Sequence, residues 1–263
     1  MLSGVEDRLS LLVQNARELV DCGFYSTSEA AVCGQGPRPS MVSALGESES
    51  FPVVAEVKLA SPLAGRLGTH VAEELIEDYR SGGAAGLSVL TEPRFFQGSL
   101  RYLRMACRTG LPVMMKDFVV DREQVNCAAR AGASAILLIQ GVFDMDLAEG
   151  RDDLMEHAHS LGLEVVLEAS SLEELQEARG SRADVLAYNR RDLRSFRPGP
   201  DLLAEALTLV RGDERPTLVM SMMGSLEDLR RVRELGGSGV LIGTALSSSP
   251  CPRDKLISLR LGA

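Results

Sequence analysis

No run of eighteen apolar residues occurs anywhere in the chain, so no membrane-spanning helix is expected. The N-terminus, MLSGVEDRLSLLVQNARELV, sets acids among its apolar residues and lacks the basic-then-apolar layout of a secretory signal. A cytoplasmic protein with no membrane partner is the default expectation. Cysteines are scattered at Cys22, Cys33, Cys107, Cys127 and Cys251, with neither CxxC nor metal-finger spacing, and an odd number points to reduced thiols. Histidine is scarce as well: His70, His157 and His159 are all there is. The last two form HxH in a helical stretch, where residues two apart face different ways, so a solvated face is expected and no metal site. A basic surplus is also missing, the formal net charge being −9. Nucleic acid is therefore disfavoured as a partner, because a polyphosphate meets a basic surface. A small phosphorylated substrate is not disfavoured, since it responds to the local field of its pocket.

What is present is a repeat. The 263 residues, 45% of them apolar, suffice for one large core or two modest ones. Short apolar runs alternate with amphipathic segments: PVVAEVK, then VAEELIEDYRSGG; GLSVL, then SLRYLRMACRTG; LPVMMK, then REQVNCAARAGA; and so on to SGVLIG and a short tail. Eight strands are predicted, centred near Val54, Ser88, Val113, Leu137, Val166, Leu186, Val219 and Leu241. Their runs are continuous and not alternating, the pattern of parallel strands covered on both faces. Glycines such as Gly132, Gly162 and Gly180 fall where helices should stop. Ser170 or Ser171, and Ser225 with Asp228, are N-cap candidates. Eight strands with seven intervening helices suit an α/β fold of the (β/α)8 TIM-barrel kind. A doubly wound sheet fits the same alternation, but no GxGxxG follows the first strand. Residues 1–51 fall outside the repeat and are expected to be an N-terminal extension packed on the barrel formed by 52–263. Its first part reads as an extra helix, and GQGPRPSMVSALGESES as an irregular connection.

Active sites of such barrels lie at the carboxyl ends of the strands, which makes polar residues ending apolar strands the candidates. These are Glu56 and Lys58, Lys116, Glu168, Asn189 with Arg190 or Arg191, Ser221, and Gly243 with Thr244. Glu56 and Lys58 are two apart and project to one side of a strand. Burying either charge alone would cost several kcal/mol, so they should pair with each other or with a ligand. An ion-pair network sealing the barrel is the plainer alternative, yet sealing does not call for two lysines, two glutamates and an asparagine from four strands. Partial desolvation near other cations is expected to lower the pKa of Lys116 and ready it as an acid. Asp117 should point the other way, as a turn or helix-capping residue. Only one of the adjacent Arg190 and Arg191 should face the pocket, and the local pattern leaves open which. At the last strand, VLIGTALSSS offers free N–H groups and a hydroxyl to an anion.

With these pieces assembled, the chain resembles the indole-3-glycerol phosphate synthase family. AEVKLASP, LSVLTEPRFFQGS, LPVMMKDFVVDREQV, AGASAILLI, GLEVVLEA, NRRDL and VLIGTAL carry the likeness, from about Pro52 to Leu246. The resemblance implies a carbon–carbon lyase (a carboxy-lyase) of tryptophan biosynthesis. It would close the ring of 1-(2-carboxyphenylamino)-1-deoxyribulose 5-phosphate with loss of carbon dioxide and water, and without a cofactor. It matches Lys116 to the general-acid lysine, Glu168 to the glutamate of the dehydration, and Lys58 and Glu56 to the charged pair of the first strand. Asn189 and Arg191 match the polar residues of strand six, Ser61 the loop serine near substrate, and Gly243 with Thr244 the phosphate-binding end.

Departures accompany the likeness. The family's glutamate-serine-glycine tripeptide at strand seven is read here as Ser221, Met222 and Met223, which makes the two methionines a divergent part of the pocket. Thioethers adapt to irregular apolar surfaces, so a differently shaped aromatic group is one expectation. Leu63 and Ala64 make the first loop less equipped to bind charge. Two other readings stay open: a paralogue acting on a related arylamino sugar phosphate in specialised metabolism, and a non-catalytic sugar-phosphate-binding or scaffold relative. A monomer and a homodimer are both compatible with the pattern.

Overall fold

The computed structural model describes residues 8–26, 38–47, 50–61, 65–195 and 197–263. Leu63 and Ala64, and with them the expectation about the first loop, lie outside the described residues. The eight strands are β1 (Val53–Val57), β2 (Gly86–Leu90), β3 (Val113–Lys116), β4 (Ala135–Ile139), β5 (Glu164–Ala169), β6 (Val185–Asn189), β7 (Thr217–Met220) and β8 (Gly239–Ile242). Each pairs in parallel with its sequence neighbours, and β1 closes on β8, giving a closed barrel. The fold is a (β/α)8 barrel.

Burial on both faces explains the unbroken apolar runs. Outward residues such as Val53, Leu87, Val165 and Val219 meet the apolar sides of the surrounding helices in one cluster. Inward residues such as Val54, Met114, Val166 and Leu218 fill the barrel in a second. The helix ends are chemically marked. Ser171, not Ser170, caps Leu172–Arg179 by accepting from the Glu174 N–H at 3.1 Å. Ser225 and Asp228 form a reciprocal capping box at Leu226–Glu234.

The segment before β1 touches both ends of the barrel. Helix α1 (Arg8–Asp21) buries Leu9, Leu12, Val13 and Ala16. It is tied to loops at the carboxyl ends: Arg8 N–H donates to the Arg194 carbonyl at 3.1 Å and Asn15 Nδ2 to Glu92 at 2.9 Å. The connection expected to be irregular contains a second helix, α2 (Met41–Gly46), which plugs the amino ends. Its free N-terminal N–H groups meet the Glu164 carboxylate at the start of β5, Met41 N donating at 2.7 Å and Val42 N at 3.3 Å. Glycine makes room for the plug: a Cβ on Gly86 would lie 3.0 Å from the Met41 thioether, and one on Gly239 would lie 2.9 Å from Leu45. Six helical residues are fewer than two turns, too few for a periodic stripe to show in the sequence. The short tail also differs from expectation, forming the helix Pro252–Gly262 with proline in its first turn. No helix among the described residues is long and apolar enough to cross a membrane.

Candidate active site

A cavity of about 370 Å³ opens at the carboxyl ends of the strands, and Glu56, Lys58, Lys116, Glu168 and Asn189 all line it. The two-residue period brings them there: Glu56 and Lys58 share the inward side of β1, as Glu168 and Asn189 do on β5 and β6. Ser61, Arg191, Ser221, Met222, Gly243 and Thr244 line the same space.

Glu56 answers why β1 delivers an acid and a base together. The carboxylate is 2% exposed and bridges two ammonium groups, with Lys116 Nζ at 2.8 Å from Oε1 and Lys58 Nζ at 3.5 Å from Oε2. Burial alone would raise its pKa, but the charges of Lys116 and Lys58 outweigh burial and hold it at about 2. The two lysines diverge. Burial lowers Lys58, with Lys116 and Arg191 reinforcing the effect against the pull of Glu56. Lys116 goes the other way, which corrects the expectation of a lowered value: burial is overcome by Glu56 and Glu168, and the pKa rises. Glu168 is pushed up by burial despite Lys116 and the hydrogen bond from Asn189 Nδ2 to Oε1 at 2.8 Å. Its other oxygen, Oε2, is buried without a hydrogen-bond partner among the described residues.

Of the adjacent arginines only Arg191 lines the cavity; Arg190 turns to Asp201 at 3.3 Å and to the Met222 carbonyl at 3.5 Å. Gly243 has a steric reason to be glycine, since a Cβ there would fall 2.0 Å from Glu56 Oε2. His157 and His159 diverge as the helix period requires, one contacting Asn126 and the other Asp184, each at 2.8 Å.

Strand seven requires a correction. Met223 is not in the cavity; it is 5% exposed and packs in the layer between sheet and helices. Ser221 and Met222 take left-handed backbone angles, φ 65° and 57°. Glycine adopts that conformation without strain, whereas here a serine and a methionine hold it.

Sequence reasoning missed a buried polar network beside the lysines. Asp117 neither turns away nor caps the following helix, which Asp121 caps instead. Asp117 lines the cavity and accepts from Tyr25 Oη at 3.0 Å, Thr91 Oγ1 at 2.5 Å and its neighbour Phe118 N at 2.8 Å. Burial raises its pKa to about 6. Glu92, fully buried, accepts from Asn15 and from the N–H groups of Arg94, Phe95 and Phe96. The motif LTEP, with an acid directly after an apolar strand, was the available signal. The apolar wall of Leu90, Phe96, Phe118, Ile139 and Leu193 was also missed, because neither aromatic belongs to a strand.

The chain matches the family described as indole-3-glycerol phosphate synthase over residues 12–259. An indole-3-glycerol phosphate synthase of Burkholderia ambifaria is 39% identical over 208 residues, covering 78% of this chain and 77% of that protein. One of Burkholderia lata is 38% identical over the same shares. Among solved structures, a thiamine phosphate pyrophosphorylase of Pyrococcus furiosus superposes with TM-score 0.59 at 16% identity, covering 81% of this chain and 95% of that one. An N-acetylmannosamine-6-phosphate 2-epimerase of Clostridium perfringens gives TM-score 0.59 at 17% identity, covering 81% of this chain and 93% of that one. Likeness at that identity speaks for the barrel alone.

Proposed function

The chain belongs to the indole-3-glycerol phosphate synthase family, and from that premise we propose that its cavity performs the family's ring closure. The enzyme is a carboxy-lyase of tryptophan biosynthesis acting on a small phosphorylated sugar derivative, 1-(2-carboxyphenylamino)-1-deoxyribulose 5-phosphate. The observation that carries this reading is the convergence of Glu56, Lys58, Lys116 and Glu168 on one cavity with an apolar wall.

The residues divide the chemistry by charge and position. Lys116, kept protonated by two carboxylates, donates to the substrate ketone oxygen while the ring carbon that bears the carboxylate attacks the ketone carbon. A new carbon–carbon bond forms, and the carbonyl electron pair goes to an oxygen that takes a proton. Lys58 Nζ stands 5.8 Å from the centre of the Phe96 ring, at the apolar wall, and holds the aryl carboxylate there. Loss of carbon dioxide leaves its bonding pair in the ring and restores aromaticity. Water then leaves from the former ketone carbon, and the neighbouring carbon gives up a proton to form the indole. Glu168 suits that last transfer, since burial raises its pKa and Oε2 has no hydrogen-bond partner among the described residues. The phosphate occupies the β8 end at Gly243 and Thr244 with Ser221 beside them, so binding energy remote from the reacting carbons orients the folded substrate.

The test is turnover of that substrate, followed by indole fluorescence. Lys116→Ala should lose about 100-fold or more in kcat, the scale of a general acid. Full activity in that variant would overturn the assignment.

A further inference from the structure

A methionine that lines a cavity, stays 41% exposed and holds a left-handed backbone needs a reason. Met222 contributes little to the core; that part is taken by Met223, which is buried. The backbone at Ser221 and Met222 is of the sparsely populated kind that persists only where surrounding contacts enforce it. One such contact is visible. Arg190, its side chain 11% exposed, donates to the Met222 carbonyl while paired with Asp201, and Asp201 is also paired with Arg231 at 2.6 Å. The fold thus holds an exposed thioether at the mouth and gains little packing by it. A side chain that lines the cavity, stays 41% exposed and sits on a strained backbone is one that a guest would cover.

Position identifies which part of the guest that is. Ser221 and Met222 follow β7, and Gly243, Thr244 and Ala245 follow the neighbouring β8; all five line the cavity. The aromatic wall of Phe96 and Phe118 belongs to the loops after β2 and β3. Met222 is therefore on the far side from the ring and beside the end assigned to the phosphate.

We propose that the Met222 side chain packs over the phosphate end of the bound molecule and slows its departure. This rests on the reading of the cavity given above. The thioether makes apolar contact with the glycerol-side carbons next to the phosphate and keeps water from that end.

Two variants separate side chain from backbone. Met222→Ala removes the thioether and keeps the unfavourable φ, whereas Met222→Gly removes both. The probe is indole-3-glycerol phosphate; the chain contains no tryptophan, so indole fluorescence reports bound and free product without tryptophan background. Both variants should weaken product binding about five- to tenfold, the order set by losing part of one apolar side chain's contact. KM for the substrate should rise in step, with kcat within about twofold. Met222→Leu should stay near the parent. Separately, Met222→Gly should melt about 2–4 °C above Met222→Ala, since only it relieves the backbone. Weakening in the glycine variant alone would assign the effect to the backbone and overturn the proposal. So would unchanged or tighter product binding in both. A parent protein that binds this product and turns over the substrate, with both variants unchanged, defeats only the role of Met222. A parent that does neither defeats the functional reading and this inference with it.

Discussion

At the scale of single residues, the site is governed by one carboxylate shared between two ammonium groups. Glu56 is ionised down to about pH 2, so its contribution to stability is complete above the unfolded value near 4.5 and is lost only as pH falls from there toward 2. Asp117 has the opposite sign. Its folded pKa of about 6 lies above the ordinary aspartate value of 3.8, so the folded state binds the proton more tightly. Stability should therefore fall by about 2–3 kcal/mol as pH rises from roughly 4 to 6, at 1.36 kcal/mol per unit. Denaturant unfolding across that window checks the slope, and Asp117→Asn should flatten it whatever hydrogen bonds the amide gives up. Glu168→Gln should keep KM and lower kcat by about 100-fold or more if Glu168 moves a proton; steady-state kinetics reads both. Most of these residues were legible because a charged side chain ending an apolar strand stands out. The direction of the Lys116 shift was not. It depends on Glu56 and Glu168 from other strands, and the sequence does not give their distances.

Among the elements, legibility followed length and the number of buried faces. The strands were readable because both faces are buried, leaving runs such as AILLI without a polar interruption. Helix α2 was not, because its six residues sit in a proline- and serine-bearing stretch and its N-terminus is satisfied by Glu164, more than a hundred residues away. The departure of Met223 from the cavity was illegible for a related reason: nothing local in SMMG separates the exposed Met222 from the buried Met223. The two N-terminal helices should respond differently to mutation. Met41→Ala, at the end opposite the cavity, should destabilise by about 2–5 kcal/mol, as large-to-small core changes do, with KM and kcat of the remaining folded protein unchanged. Leu12→Ala in α1 should instead raise KM as well, since α1 is tied to the loops at the cavity end, Arg8 N–H to the Arg194 carbonyl and Asn15 to Glu92. Denaturant melts and steady-state kinetics on both variants make the comparison.

For the whole molecule, closure of the barrel is what turns separate strand ends into a site. Glu56 and Lys116 are sixty residues apart in the chain and 2.8 Å apart in space. The eightfold repeat foretold that such residues would meet at one end, and the family likeness said what they would do there. The depth of the cavity, its aromatic wall and the Tyr25–Asp117–Thr91 network were invisible because they join loops and an N-terminal arm that share no period. On the proposed mechanism, ring closure and decarboxylation are one event sequence in this cavity. Counting carbon dioxide released against indole formed, in the parent and in Lys116→Ala, tests it most directly. One carbon dioxide per indole is expected, with both lost together in the variant. Carbon dioxide without indole from the parent, or an undiminished yield of both from Lys116→Ala, would contradict it.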